Sequence, residues 1–172
     1  MDAKERRLQL LNILKNADGP LTGTWLAKEL RVSRQAIVGD FAILRAGGTE
    51  VYATPQGYVL PPVMKQHENI RAILACKHER ENLEEELTVI IDNGGKVLDV
   101  IVEHPVYGEL TANLMLASRR DIAEFLCNLD QSKAEQLSSI TAGVHLHTVE
   151  VTDANALLKI ENELRTRGIL IN

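Results

Sequence analysis

Apolar residues recur at helical spacing three times in the first sixty positions and then alternate over two short runs. The predicted helices cover residues 4–16, 22–30 and 33–46, and the predicted strands cover residues 50–53 and 57–60. Ser33 is a favourable N-cap for the third helix, whose inward residues are Ile37, Phe41 and Leu44. Two short helices joined by a three-residue turn and followed by a hairpin are typical of a helix-turn-helix with a wing.

From residue 70 onward the pattern mixes β-rich runs with amphipathic helices. The predicted strands cover residues 70–77, 96–103, 109–116 and 144–151, and the predicted helices cover residues 79–92 and the stretches capped by Ser118 and Asp153. This order, β-α-β-β-α-β-α, predicts an antiparallel sheet with helices on one side, as in the split βαβ plan. The predicted fold class is therefore α+β, a winged helix-turn-helix followed by an antiparallel-sheet α/β sandwich.

Two consecutive prolines, Pro61 and Pro62, mark the junction between these segments because they disfavour helix. We predict a first domain over residues 1–60, a linker over residues 61–68 and a second domain over residues 69–172. Residues 1–60 hold eight basic and six acidic side chains, whereas residues 61–172 hold eleven basic and eighteen acidic ones. A mildly basic module therefore precedes an acidic one, and the net charge of −5 argues against a uniformly basic nucleic-acid coat.

Composition narrows the class of protein further. No apolar run approaches the ~20 residues of a membrane span, and the charged N-terminus has no apolar stretch behind it like that of a secretory signal. Cys76 and Cys127 are too few for a disulfide framework or a four-thiolate zinc site, which favours two reduced core thiols. These features predict a cytoplasmic protein.

The first turn of the third helix carries the candidate base-contacting residues. Arg34 and Gln35 can make bidentate contacts to guanine and adenine in a major groove, and Ser33 starts the same helix. The candidate phosphate contacts are Lys28, Arg31, Thr54 and Gln56. We therefore predict binding to double-stranded operator DNA. The alternative is a protein-docking module in which Arg34 and Gln35 are ordinary solvated surface.

The candidate metal ligands lie in the second segment. His145 and His147 are two residues apart on a predicted strand, so their side chains share a face and can converge on one ion. His78 follows the first strand and precedes the acidic run 79–86. Imidazoles with one carboxylate suit zinc, nickel, cobalt or iron, although spacing alone does not choose the glutamate. The alternatives are exposed strand histidines without a metal and a solvated acidic helix face.

The whole pattern resembles a known family. Residues 21–60 resemble the helix-turn-helix of biotin-repressor type, and the rest resembles the 3H domain. From end to end the chain is similar to the niacin-responsive transcriptional repressors of Gram-positive and related bacteria. The residues that carry this resemblance are Val32-Ser33-Arg34-Gln35, Asp40, Leu44-Arg45-Ala46, His78, Glu86, His104-Pro105-Val106-Tyr107-Gly108 and His145-Leu146-His147. Gly39 departs from the family pattern, in which a longer polar side chain is usual at this position.

The resemblance implies a repressor that binds operators of NAD-biosynthesis and niacin-uptake genes when nicotinic acid is bound. It also implies one divalent metal, nickel or zinc, held by His78, Glu86, His145 and His147. Nicotinic acid offers a carboxylate and a pyridine nitrogen to such a metal, and we predict that His104 and Tyr107 line its pocket. Since helix-turn-helix proteins bind symmetric sites, we expect a homodimer. The alternatives are a repressor that senses the metal itself and a metal-dependent enzyme.

Overall fold

The computed structural model describes residues 2–61 and 69–171 of the 172-residue chain. The chain divides into two compact units, residues 1–65 and 66–172, and this division falls inside the predicted linker. Apart from Pro61, that linker lies outside the described residues. Each unit has its own apolar core. None of the helices in the described ranges has the length and hydropathy of a membrane span.

The first unit is a winged helix-turn-helix, as the sequence predicts. Its elements are α1 (Ala3–Lys15), α2 (Gly23–Glu29), α3 (Arg34–Ala46), β1 (Tyr52–Thr54) and β2 (Gly57–Val59). All three helices begin at a side-chain cap, because Asp2, Thr22 and Ser33 each accept a hydrogen bond from a backbone N–H of the first turn. The strands pair antiparallel across the predicted turn and form the wing.

Among the described residues of this unit, the core is apolar except at one position. Its fully buried side chains are Leu10, Leu26, Ile37 and Phe41. Asp40 of α3 is buried beside them, with Oδ2 2.5 Å from Nε of Arg6 and Oδ1 3.5 Å from Nη1 of Arg7. Both arginines belong to α1. This ion-pair cluster therefore ties α1 to α3.

The second unit is a four-stranded antiparallel sheet with three helices on one face. Its strands, β3 (Ile70–Lys77), β4 (Lys96–His104), β5 (Gly108–Leu116) and β6 (Val144–Val151), lie in the order β3-β6-β4-β5. Since β6 is antiparallel to both of its neighbours, β3 and β4 are parallel with β6 between them, which confirms the split βαβ plan. The helices are α4 (Leu83–Asp92), α5 (Arg119–Ser132) and α6 (Ala154–Thr166). Their apolar stripes form one core with the inner face of the sheet.

Three local features differ from the prediction. The helix predicted over residues 79–92 begins as a separate 3-10 turn, Arg80–Asn82. A second 3-10 turn, Leu137–Thr141, lies between α5 and β6, where no element is predicted. Leu170 forms an antiparallel bridge to Cys76, so the C-terminal residues cover the free edge of β3.

The two cysteines have different environments. Cys76 is a fully buried thiol of β3, as predicted. Cys127 is exposed, so the prediction that it is a core thiol is wrong. The reason is its position on α5: Phe125, Leu126 and Leu129 pack against the core, while Cys127 falls on the solvent side of that stripe.

Candidate functional site

The four predicted metal ligands meet at one end of the sheet in the second unit. His78 directly follows β3, Glu86 lies on α4, and both His145 and His147 point from β6 to the helix-covered face. All four side chains are buried, with exposed fractions of 8% for His78 and 3% or less for the others. The alternative of exposed strand histidines is therefore wrong.

Glu86 reaches this position because of its place in the helical stripe. The buried residues of α4 are Leu83, Glu86, Leu87, Val89 and Ile90. All of them except Val89 follow the i, i+3, i+4, i+7 spacing of one helix face. The neighbouring glutamates of the run point outward or lie at the edge of this face. A fully buried carboxylate on an apolar helix face requires charged or hydrogen-bonding partners.

One oxygen of Glu86 is approached by three imidazoles. The Oε2 atom of Glu86 lies 2.6 Å from Nε2 of His78, 3.2 Å from Nε2 of His145 and 3.4 Å from Nε2 of His147. The rings of His78 and His145 are edge-on, with centroids 4.9 Å apart, and the rings of His145 and His147 have the same arrangement at 4.8 Å. Three ring nitrogens and one carboxylate therefore converge on a single point.

The opposite nitrogen of each ring is held by a backbone carbonyl. Nδ1 of His78 donates to the carbonyl of Glu79 at 2.7 Å, and Nδ1 of His145 donates to that of Gly143 at 2.8 Å. Nδ1 of His147 donates to the carbonyl of Asp99 at 2.6 Å. Because a carbonyl only accepts, each Nδ1 carries a proton, and each ring turns its Nε2 atom toward Glu86.

Backbone irregularities place two of these carbonyls. The pairing of β4 with β6 changes register between Val97 and Ile101, and Asp99 lies within this irregularity. The carboxylate of Asp99 also accepts the backbone N–H of Thr148, which holds the bulge against β6. Gly143 has a φ of +87°, and a Cβ there would collide with the carbonyl oxygen of His78. Only glycine fits this junction.

The donor set fits a divalent metal. If the three rings are neutral, their lone pairs repel the carboxylate unless a positive charge lies between them, and protonating all three rings in a buried site is costly. Nε2 of His147 is buried without a hydrogen-bond partner among the described residues. Rings fixed through Nδ1 by backbone carbonyls are the usual second shell of histidine metal sites.

The electrostatics of the site favour a positive charge beside Glu86. Burial alone would lower the pKa of His78 and of His147. The hydrogen bond between His78 and Glu86 and the charge of Glu86 raise the pKa of His78 overall, and the charge of Glu86 raises that of His147. Burial alone would raise the pKa of Glu86, but the charge of His147 and hydrogen bonds from the imidazoles hold that pKa well below its ordinary value. The carboxylate therefore remains ionised.

The predicted pocket residues His104 and Tyr107 lie at the β4–β5 turn. Nδ1 of His104 accepts the backbone N–H groups of Val106 and Tyr107 at 3.1 and 3.2 Å, so this side chain closes the turn. Tyr107 is 74% exposed, with its ring against that of His104. Among the described residues, neither side chain has a hydrogen bond or ring contact with the four clustered groups. Their pocket role stays a prediction.

The predicted base-contacting residues lie on the exposed side of α3. Arg34 and Gln35 are exposed, and Val38 and Gly39 continue the same face one turn later. The hydroxyl of Ser33 accepts the N–H of Ala36 at 3.1 Å, so its first role is to cap the helix. The first turn of α3 is therefore available to a major groove.

The predicted phosphate contacts fall into two groups. Lys28 and Arg31 are exposed at the end of α2 and in the turn, where Arg31 adopts a left-handed φ of 54°. The wing residues Thr54 and Gln56 are less available for contacts with DNA phosphates. The hydroxyl of Thr54 donates to the carbonyl of Gly57 at 2.9 Å, and the side-chain amide atoms of Gln56 are shielded from solvent without a partner in the described residues.

The structural roles of two residues were not predicted from the sequence. Asp40 carries the ion-pair cluster under α3, and its signal in the sequence is an acidic residue within the inward stripe of Ile37, Phe41 and Leu44. Cys76 is the other. Its sulfur lies beside Glu86 and His145, although the sequence analysis treated it only as a core thiol.

An exposed recognition helix in one unit and a buried histidine–glutamate cluster in the other are the two features that the comparisons with known families must account for. Residues 6–59 match the family described as HTH domain, and residues 71–172 match the family described as 3H domain. The chain therefore belongs to the 3H-domain family.

Curated relatives agree with this assignment. The chain is 40% identical over 168 residues to "Probable transcription repressor NiaR" of Thermotoga maritima, covering 98% of this chain and 94% of that protein. It is 44% identical over 167 residues to "Transcription repressor NadR" of Bacillus subtilis, covering 96% and 93% respectively. With relatives named as repressors, the chain is a transcription repressor, and the alternative of a metal-dependent enzyme is set aside.

Proposed function

We propose that this repressor controls NAD-biosynthesis and niacin-uptake genes, with nicotinic acid as its corepressor and one nickel or zinc ion in its second unit. The proposal combines the family resemblance with one observation: three Nε2 atoms approach one oxygen of the buried Glu86. We further propose that it acts in the cytoplasm as a homodimer, with one recognition helix for each half-site.

The proposed ligands are His78, Glu86, His145 and His147. Nitrogen and oxygen donors of this kind suit zinc and nickel better than magnesium or calcium, which prefer oxygen alone. The backbone carbonyls at Nδ1 keep each ring in the tautomer that leaves Nε2 free. When bound, such an ion supplies a Lewis-acidic position for the carboxylate or pyridine nitrogen of nicotinic acid.

The negative charge of the second unit is the reason why an anionic effector needs a bound metal ion. Residues 61–172 carry eleven basic and eighteen acidic side chains, so the field of the second unit opposes a carboxylate. The metal centre is the candidate positive site within it. His104 and Tyr107 are proposed to contact the ring of the effector from the β4–β5 turn.

A stability matrix tests the effector. Metal-stripped and Zn²⁺- or Ni²⁺-loaded protein is heated with nicotinic acid, nicotinamide and related mononucleotides, since ligand binding raises Tm by mass action. We expect nicotinic acid to raise Tm in metal-loaded protein only. His147→Ala should abolish the shift, while His104→Ala should reduce it without loss of the metal. A shift of equal size in stripped protein would refute the metal-linked proposal.

Operator binding tests the regulation. Duplexes are selected from a random library by the metal-loaded protein with nicotinic acid, and affinity is measured by fluorescence anisotropy at several salt concentrations. We expect a palindromic site with half-sites about 34 Å apart and tighter binding with nicotinic acid. Full affinity with metal alone would instead support a metal-sensing repressor. A single half-site would refute the homodimer.

A further inference from the structure

The thiol of Cys76 faces the same centre as the histidines. Cys76 is fully buried on β3 and pairs directly with His145 across the β3–β6 ladder. Directly opposite residues share a face of the sheet and have close Cβ atoms. The ligand atoms of Cys76, Glu86 and His145 accordingly lie within 4.8 Å of one another.

This spacing suits a single ion. Metal–sulfur bonds are about 2.3 Å and metal–nitrogen bonds about 2.1 Å, so two neighbouring ligands of a tetrahedral ion are about 3.6 Å apart. The ligand atoms of Cys76, Glu86 and His145 lie within 4.8 Å of one another, so side-chain movements of about 1 Å bring them to one ion. An independent observation marks the same point as a ligand site: Nε2 of His147 is buried, has no hydrogen-bond partner among the described residues, and lies 3.4 Å from the same carboxylate.

We propose that Cys76 is a further protein ligand of the metal in this centre, binding as the thiolate after its proton passes to solvent. The inference rests on the proposed metal site and adds a sulfur donor that none of the comparisons assigns. A thiolate beside imidazoles and one carboxylate makes the site a mixed S/N/O set. Such a set favours zinc, cobalt or nickel and disfavours magnesium and manganese.

A purely supporting role for Cys76 predicts different behaviour. If the thiol only donates a hydrogen bond to Glu86, serine at position 76 keeps that donor and metal affinity is retained. If sulfur binds the ion, Cys76→Ser loses a ligand. Zn²⁺ affinity should then fall by more than the roughly 10–100-fold that loss of an outer-shell partner costs.

Cobalt spectroscopy tests the proposal directly. The full chain is stripped of metal and loaded with an equimolar amount of Co²⁺, and absorption is recorded in the visible and near-ultraviolet. Cys127, the second of two cysteines, is exposed on α5 and provides the matched control. We expect a sulfur-to-cobalt charge-transfer band in wild type and in Cys127→Ser, and its loss in Cys76→Ser.

The outcomes separate this inference from the proposed function. Visible cobalt bands in Cys127→Ser without the charge-transfer band would show a metal centre in which Cys76 is not a ligand. Failure of wild type to bind either Co²⁺ or Zn²⁺ would overturn the metal centre itself, and the inference with it. Because Cys127→Ser keeps Cys76 intact, the decisive measurement does not depend on the folding of Cys76→Ser.

Discussion

The Nε2 atom of His78 lies 2.6 Å from Oε2 of Glu86, and both side chains are buried. This pair joins the residue after β3 to the inner face of α4, so its protonation bears on the stability of the second unit. The hydrogen bond to Glu86 and its charge outweigh burial and raise the pKa of His78, while the pKa of Glu86 is lowered.

These shifts give metal-free and metal-loaded protein opposite responses to pH. A raised histidine pKa contributes stability below the unfolded-state value, about 6.5, and this contribution is lost as pH rises through the folded value. Metal binding instead needs unprotonated Nε2 atoms and strengthens as pH rises. From about pH 6 to about pH 8, we expect the Tm of metal-free protein to fall and the Tm gain from Zn²⁺ to grow.

Calorimetric measurement of Tm against pH, for metal-free protein and for Zn²⁺-loaded protein at fixed metal concentration, checks these opposite pH responses. Glu86→Gln serves as control, because it removes the carboxylate whose hydrogen bond and charge are the largest causes that raise the pKa of His78. In metal-free Glu86→Gln, the fall of Tm with rising pH should then be smaller than in metal-free wild type. A stripped wild-type protein whose Tm rises over this pH interval would contradict the assigned direction.

For the second unit, the sequence predicts the strands better than it predicts the groups that surround the histidine–glutamate cluster. β3 and β6 have the bounds expected from their β-rich runs. The burial of Glu86 could also have been predicted from the sequence. Glu86 belongs to the acidic run, but its spacing places it on the inward face of α4 with Leu83, Leu87 and Ile90. The acidic composition of the run hid this periodicity.

Other parts of the centre depend on backbone geometry that side-chain patterns do not encode. The carbonyls of Asp99 and Gly143 reach the imidazoles through a register irregularity and a left-handed turn, respectively. Cys76 joins the cluster only because β6 lies beside β3, a pairing between residues far apart in the sequence. Long-range pairing of this kind follows from the assembled sheet rather than from local spacing.

Gly143→Ala should disrupt the metal centre. Its φ of +87° is unfavourable for alanine, and the added Cβ would collide with the carbonyl oxygen of His78. Gly108→Ala is the matched control, because Gly108 has a φ of +72° but open space around the Cβ. The control should lose about 1–2 kcal/mol of unfolding free energy from backbone strain alone. Gly143→Ala should lose more.

Metal titration separates the two variants further. Gly143→Ala should weaken Zn²⁺ binding, since the clash displaces backbone next to both His78 and His145. Gly108→Ala should bind Zn²⁺ as wild type does. Equal stability and equal affinity for the two variants would show that the approach of Gly143 to His78 is not needed to form the centre.

Arg34→Ala should weaken operator binding in a sequence-dependent way. Arg34 is exposed on the first turn of α3, and loss of a bidentate base contact costs about 1–3 kcal/mol with relaxed specificity at one base pair. Lys28→Ala should instead weaken all duplexes alike and reduce the salt slope by about 1. Arg120→Ala, an equal charge change at an exposed residue of α5, is the control. Equal losses for Arg34→Ala and Arg120→Ala would reject base contact by Arg34.

Gly39→Ala should stabilise the first unit. Gly39 lies in the middle of α3, is exposed, and has nothing within 4 Å of an added Cβ. Alanine there recovers helix propensity worth about 1 kcal/mol without a steric cost. Ala42, exposed on the same helix, gives the reverse control, since Ala42→Gly should lose about the same amount. Chemical denaturation of both single variants and the double variant measures these effects. If Gly39→Ala lowered the free energy of unfolding, α3 would need a flexible point at this position.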